Sequence, residues 1–240
     1  MSAYKPQELT VLVETPAPGG AGPSDSWAGD CARLVLVDGV AISSRVPSPE
    51  LLWHSADLGA AMEDLQSTLD QGPSIEAARD GSLHMLAGVA RVDDSRRPAV
   101  VPGAIELGVR TVFAFPLRSG AIRVGSLTGY RREPHPLSEE GLNASLAVCE
   151  ALTHWLLSAV RSGTLGTGNR GEPPRVLHRA VVHQATGMLS VQLDVDLATA
   201  LDRLRAYAFA RNRPLVALSR DIVAGRLRLP DDRRTGPRDA

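Results

Sequence analysis

Between residues 203 and 213 the sequence reads RLRAYAFARNR. Arg205, Arg211 and Arg213 cluster there, with Tyr207 and Phe209 interleaved among them. A guanidinium is a planar, permanently charged fork that matches phosphate oxygens, and an aromatic ring stacks on a splayed base. The chemistry on offer is the holding of a polyanion that carries unpaired bases. Tyr207 and Phe209 lie about 200° apart on a helix, so at least one of them belongs to a core. Arg179, His183 and Gln184 lie upstream and add one cation and two polar contacts to the same set. Arg175, Arg203, Arg220 and Arg226 either neutralise phosphates, each adding to the salt dependence of binding, or solvate the surface and pair with Asp202 and Asp221.

Catalytic chemistry finds little support. The histidines at 54, 84, 135, 154, 178 and 183 form no i, i+4 pair for a metal. Ser, His and Asp occur in no triad order and in no nucleophile elbow. Cys31 and Cys149 are too few and too far apart for a disulfide framework or a thiolate zinc site. They form a redox pair or, the better reading, two inert buried thiols. The chain is accordingly read as a non-enzyme with no catalytic residue, metal or cofactor. A second group, Trp53, Met85, Phe113 and Phe115, could wall an apolar ligand pocket or fill a core. Phe113 and Phe115 share one face of a strand and point inward together. Arg110 precedes that strand and either meets an anionic ligand or caps the helix before it.

These residues need elements to hold them. Ser26 to Val37 has helical character, followed by strands at Val40 to Val46 and Leu51 to Ser55 around a Pro-Ser-Pro turn. Asp57 to Leu69 carries Leu58, Met62, Leu65 and Leu69 at helical spacing. Ser74 caps a short helix through Arg79, His84 to Val89 is a short strand, and Pro98 to Leu107 is a helix stopped by Gly108. Thr111 to Arg118 and Ala121 to Tyr130 form a hairpin around Ser119-Gly120. Ser138 opens a long helix with Leu142, Leu146, Cys149, Leu152 and Leu156 along one face, a candidate dimer element. After residues 162–174, SGTLGTGNRGEPP, come three helices. The first, Arg175 to Leu193, buries Leu177, Val181, Ala185, Met188 and Leu189. The second starts at the cap Asp196, turns Leu197, Leu201, Leu204 and Ala208 inward, and stops near Asn212. The third opens at Pro214, buries Leu215, Leu218, Ile222 and Val223, and ends at Gly225.

The expected organisation is a flexible segment at 1–24, an α+β domain at 25–161, a linker at 162–174, a three-helix bundle at 175–229 and a disordered tail at 230–240. The 240 residues are 43% hydrophobic and 22% charged, enough for packed cores. The net charge of −1 hides an asymmetry. Residues 170–240 hold 13 Arg against 8 Asp and Glu, while residues 1–169 are net acidic, which places a polyanion partner on the C-terminal side. No apolar run approaches a membrane span and no signal peptide opens the chain, so a cytoplasmic, membrane-free protein is expected.

Ala185, Gly187, Met188-Leu189, Ala200, Leu204-Arg205, Ala208, Asn212, Leu218 and Ile222-Val223 are spaced as in the ANTAR domain, which this region resembles. The stretch 30–155 resembles a GAF domain. That likeness rests on Asp38-Gly39-Val40-Ala41, Leu65-Gln66, Asp70-Gln71-Gly72-Pro73, Glu76-Ala77, Gly81, the run Glu106 to Arg110, Phe113 to Leu117, and Gly125-Ser126-Leu127. The resemblance implies a GAF-like sensor domain, an antiparallel sheet with flanking helices, followed by an all-α ANTAR-like bundle. It further implies an actinobacterial-type antitermination regulator. Its bundle would bind paired stem-loops in a nascent RNA as a homodimer, under control of a small-molecule or protein signal. Gly187 admits a close RNA backbone or, the favoured reading, packs a second helix. A Gly-rich connection transmits helix rotation poorly, which points to signalling by occlusion or local concentration. The alternatives are a DNA-binding regulator and a protein-interaction module with a ligand-sensing GAF domain.

Overall fold

A computed structural model describes residues 6–16, 23, 25–45, 50–89, 97–163 and 180–230. The chain divides into two compact units, residues 1–178 and 179–240.

In the first unit the elements run α1 (Pro6–Glu14), α2 (Asp25–Leu34), β1 (Gly39–Ser44), β2 (Glu50–His54), α3 (Asp57–Leu69), α4 (Pro73–Asp80), β3 (His84–Ala87), α5 (Val100–Glu106), β4 (Thr111–Ser119), β5 (Ile122–Arg131) and α6 (Glu139–Ser162). The five strands form one sheet in the order β2-β1-β5-β4-β3, and each pairing is antiparallel. This is the α+β class that the mixed periods of the sequence imply. Short connections explain the hairpin: Ser119 pairs with Ile122, and Gly120 takes a φ of 57°, a left-handed value. At the centre of the sheet a Cβ on Gly125 would sit 2.0 Å from the Ser43 carbonyl oxygen, so only glycine lets β5 lie against β1 there.

Two apolar layers cover the sheet. One gathers Trp27, Cys31, Val40, Ile42, Trp53, Phe113, Phe115, Leu117 and Leu127 with Val148, Leu152 and Leu156 of α6. The other gathers Ala41, Met62, Leu86, Ala104, Val109, Val112 and Tyr130. Ser138 caps α6 as its sequence suggests, its Oγ accepting the Gly141 N–H at 3.1 Å.

Several expectations change. Residues 6–14, read as part of a flexible segment, form a helix whose Leu12 is buried and accepts a hydrogen bond from Trp27 Nε1 at 3.0 Å. Ser74 is no cap: Gly72 holds that position, Pro73 opens α4, and Ser74 is buried within it. The buried side of α6 is Gly141, Ala144, Ser145, Val148, Cys149, Leu152, Thr153, Leu156 and Ala159, with Leu146 exposed. That buried side packs on the core of its own domain. The Pro-Ser-Pro turn at 47–49 lies outside the described residues, as do most of the expected linker and the tail from 231.

The second unit is the expected three-helix bundle, α7 (Ala180–Leu193), α8 (Leu197–Ala210) and α9 (Leu215–Val223). Asp196 caps α8, accepting the Thr199 N–H at 2.9 Å. The core is Val182, Ala185, Leu189, Leu193, Ala200, Leu204, Ala208, Leu215, Leu218 and Ile222. It is closed from beyond α9 by Leu229, whose carbonyl accepts the Gln192 side-chain amide at 2.9 Å. Two expected core residues face outward instead, Met188 and Leu197, while Val181 packs half-buried at the edge of the core beside the buried Val182. Thr186 is also buried and donates back to the Val182 carbonyl at 2.8 Å.

Candidate nucleic-acid interface and sensor site

The outward face of α7 carries His183, Gln184, Gly187, Met188 and Val191, spaced three and four residues apart on one side of the helix. Val191 is 85% exposed. A Cβ added at Gly187 would meet nothing within 4 Å. Helix packing therefore does not account for this glycine, the favoured reading of the sequence, and the position stands open to an external partner. His183 and Gln184 are both exposed on this face.

The expected arginine cluster separates into different roles. Arg211 is exposed, and its guanidinium lies 5.0 Å from the centroid of the half-buried Tyr207 ring, a cation–π contact that holds it in place. Arg205 is half-buried beside Asp202, at 3.5 Å. Arg213 does something else. It donates to Asp221 at 2.6 Å, and Arg226 donates to the same carboxylate at 2.7 Å, so Arg213 ties the α8–α9 turn to α9 and to the chain beyond it. Hydrogen bonds from Arg213 first and Arg226 second hold the Asp221 carboxyl below the usual carboxylate range. Of the two aromatic residues, Tyr207 packs against the core and Phe209 is 59% exposed. Arg179, Arg175, Leu177 and His178 lie outside the described residues.

Of the expected sensor residues, Trp53, Phe113 and Phe115 share the α6-side core. Trp53 lies on β2 and Met85 on β3, the two opposite edges of the five-stranded sheet, about 19 Å apart at the usual strand spacing. Trp53 is buried against Trp155 in an edge-to-face pair with centroids 5.1 Å apart. Phe113 and Phe115 point inward together and are core. Met85 pairs in register with Phe113 but is exposed at the sheet edge. Arg110 donates to the carbonyls of Val109 and Ile105, at 3.0 and 3.3 Å, satisfying acceptors at the end of α5. That is the capping alternative.

Periodicity missed two polar constellations on the other layer. Glu63 of α3 is buried and accepts four hydrogen bonds: from Tyr130 Oη at 2.6 Å, Ser43 Oγ at 2.8 Å, Gln66 Nε2 at 3.2 Å and Ser74 Oγ at 3.3 Å. These donors come from β5, β1, α3 and α4, so one carboxylate joins both helices to the sheet. Burial first, and the Glu63 charge second, push the Tyr130 phenol well above its ordinary range. Nearby, Arg97 is buried and grips Glu76 through Nε at 2.7 Å and again through Nη2, while His84 stands between Glu76 at 3.2 Å and Asp80 at 2.7 Å. A charged residue one position from a leucine stripe was the available signal for Glu63, but its partners are remote in sequence. Cys31 and Cys149 share the α6-side core, where burial pushes both thiols up and disfavours the reactive thiolate. No helix among the described residues is long and apolar enough to cross a membrane.

Residues 175–223 match the ANTAR domain family, so the chain carries an ANTAR domain that spans α7, α8 and α9. It stands C-terminal to an α+β domain built on an antiparallel five-stranded sheet. No curated protein matches the chain. Among solved structures, the chain is similar to the GAF domain of a phosphoenolpyruvate-protein phosphotransferase from Acinetobacter, with a TM-score of 0.49 and 15% identity over 68% of this chain and 99% of that one. It is similar to the phycoerythrobilin-bound GAF domain of a cyanobacterial phytochrome, at 0.48 and 15% over 68% and 100%. A third similar structure is the GAF domain of a phosphoenolpyruvate-protein phosphotransferase from Coxiella burnetii, at 0.48 and 13% over 65% and 95%.

Proposed function

We propose that this protein is a signal-responsive RNA-binding regulator of transcription antitermination. The observation that carries the reading is the ANTAR match over residues 175–223. The geometry of the second unit supports it. The outward face of α7 has no acidic side chain and an open glycine, and at the end of α8 Arg211 is held over Tyr207. His183, Gln184, Arg205 and Arg211 are the proposed contacts, with Arg179 a further cation. Arg213 is assigned to the Asp221 clasp and leaves the contact set.

The bundle would hold stem-loops of a nascent transcript and so keep a terminator hairpin from forming. A paired RNA target implies two copies of the chain. The first unit receives the signal, a small molecule or a protein, and needs no catalysis to do so. A cytoplasmic location fits a partner made during transcription. The DNA-binding alternative is less well supported. Helix α9, which would serve as the recognition helix, offers Arg220 outward, while Asp221 is engaged by two arginines.

The test is a titration of the full chain against an RNA with two adjacent hairpin loops and against the matching DNA duplex, at two salt concentrations. Tighter binding to RNA is expected, weakening with salt, and the salt dependence should be shallower in Arg205→Ala and Arg211→Ala. Equal or tighter binding to the duplex would overturn the RNA reading in favour of DNA. Binding to neither, even at low salt, would leave the protein-interaction reading.

A further inference from the structure

The chain has three phenylalanines, and they are treated very differently. Phe113 and Phe115 are 2% and 3% exposed, whereas Phe209 is 59% exposed. Its neighbours one turn and one residue away, Ala206 and Ala210, are exposed and too small to cover the ring. Below it the last turn of α8 is firmly built. The Phe209 carbonyl accepts the Asn212 N–H at 3.0 Å, and Asn212 takes a left-handed φ of 47°, which closes the helix. Residues 211–214 then cross to α9 with each of them exposed. The ring is thus held out on a rigid helix end, with no polar atom of its own to offer a partner.

From residue 203 to residue 213 there are four arginines and no acidic residue. Arg211 is already seated over Tyr207 at 5.0 Å, which lowers the ordering cost of using it. An exposed aromatic ring set in a run of cations matches a partner with flat apolar faces on a chain of negative charges. Paired bases are stacked and cannot offer such a face, while unpaired bases can.

We propose that Phe209 is a stacking platform for one unpaired base of an RNA loop, with Arg211 at the adjoining phosphate and Tyr207 acting only to position Arg211. This rests on the RNA-binding reading above and deepens it by assigning the part of the RNA that meets the end of α8.

The experiment uses the full chain and a pool of tandem RNA hairpins with randomised loops, alongside the same stems closed into continuous duplex. Phe209→Ala should weaken binding to the loop pool about tenfold, leave duplex binding unchanged and leave the melting of the bundle unchanged. Phe209→Trp should keep loop binding, and its added indole emission should be quenched by the loop pool and not by duplex. Loop binding by Phe209→Ala equal to that of the unaltered protein would overturn the proposal. So would an unmoved emission in Phe209→Trp with RNA bound, since the ring would then face another partner. If the unaltered protein binds neither RNA, the RNA reading itself has failed. If it binds loops and the variants behave as it does, only the assignment of Phe209 has.

Discussion

Helices α6 and α7 each bury one side in a core, yet their outward faces differ in kind. The outward side of α6 carries Asn143, Glu150, His154 and Arg161 around the exposed Leu146, an ordinary solvated surface. Helix α7 has no Asp, Glu, Lys or Arg from Ala180 to Leu193, and its outward side offers Gly187, Met188 and Val191 to solvent. A solvent face without charge is poorly explained by solubility alone and is suited to a partner. The comparison teaches that α6 surrounds its exposed leucine with polar and charged side chains, whereas α7 keeps an outward face without formal charge.

The strongest way to break this contrast is through α6. Leu152 is fully buried, so Leu152→Ala should cost about 3 kcal/mol, while Leu146→Ala on the exposed side should stay within about 0.5 kcal/mol. Urea unfolding followed by tryptophan emission reads this, because Trp27, Trp53 and Trp155 all belong to the first unit. Equal effects of the two substitutions would mean that α6 is not packed as described.

On α7 the expected signs oppose each other. Gly187→Ala has open space for its methyl group and should stabilise the bundle by roughly 0.5–1 kcal/mol, as helix propensity dictates. If this face meets RNA, the same substitution should weaken RNA affinity several-fold. Thermal melting by circular dichroism, paired with an RNA titration, measures both. Stabilisation with unchanged affinity would remove Gly187 from the interface.

The smallest effect concerns acid. Asp221 has a folded pKa below its unfolded one, so its stabilising contribution is complete above the ordinary carboxylate range. That contribution fades as pH falls below about 4 and the unfolded chain binds the proton first. Asp221→Asn should flatten the acid limb of the bundle's melting curve and loosen Arg213 and Arg226. An acid limb of undiminished steepness in that variant would assign the dependence to other carboxylates.

Element types were largely legible, because each rests on local chemistry. Asp57–Leu69 is the helix that its apolar spacing marks out, and Ser138 and Asp196 cap the helices that follow them. Which side of a helix would be buried was less legible. One residue turns a helical position by about 100°, so leucines near a stripe edge can fall on either side. Leu146 and Leu197 fell outward, and Val182 is buried more deeply than Val181. Arg211, His183 and Gln184 are exposed, but the diversion of Arg213 to Asp221 was not legible, since it depends on where α9 brings that carboxylate.

By itself the sequence determined the order of helices and strands from residue 25 onward, the ANTAR spacing across 175–223 and the concentration of arginine toward the C-terminal half. Those properties are local or additive: caps, turns, periodicity and charge act over a few residues or over none in particular. Tertiary structure alone decided that Glu63 would be the polar hub of the first unit and that Trp53 and Met85 would stand at opposite edges of one sheet. It also left Phe209 exposed and open space beside Gly187. Each of these depends on groups far apart in the chain, and only the packing of whole elements sets which of them meet and which face outward.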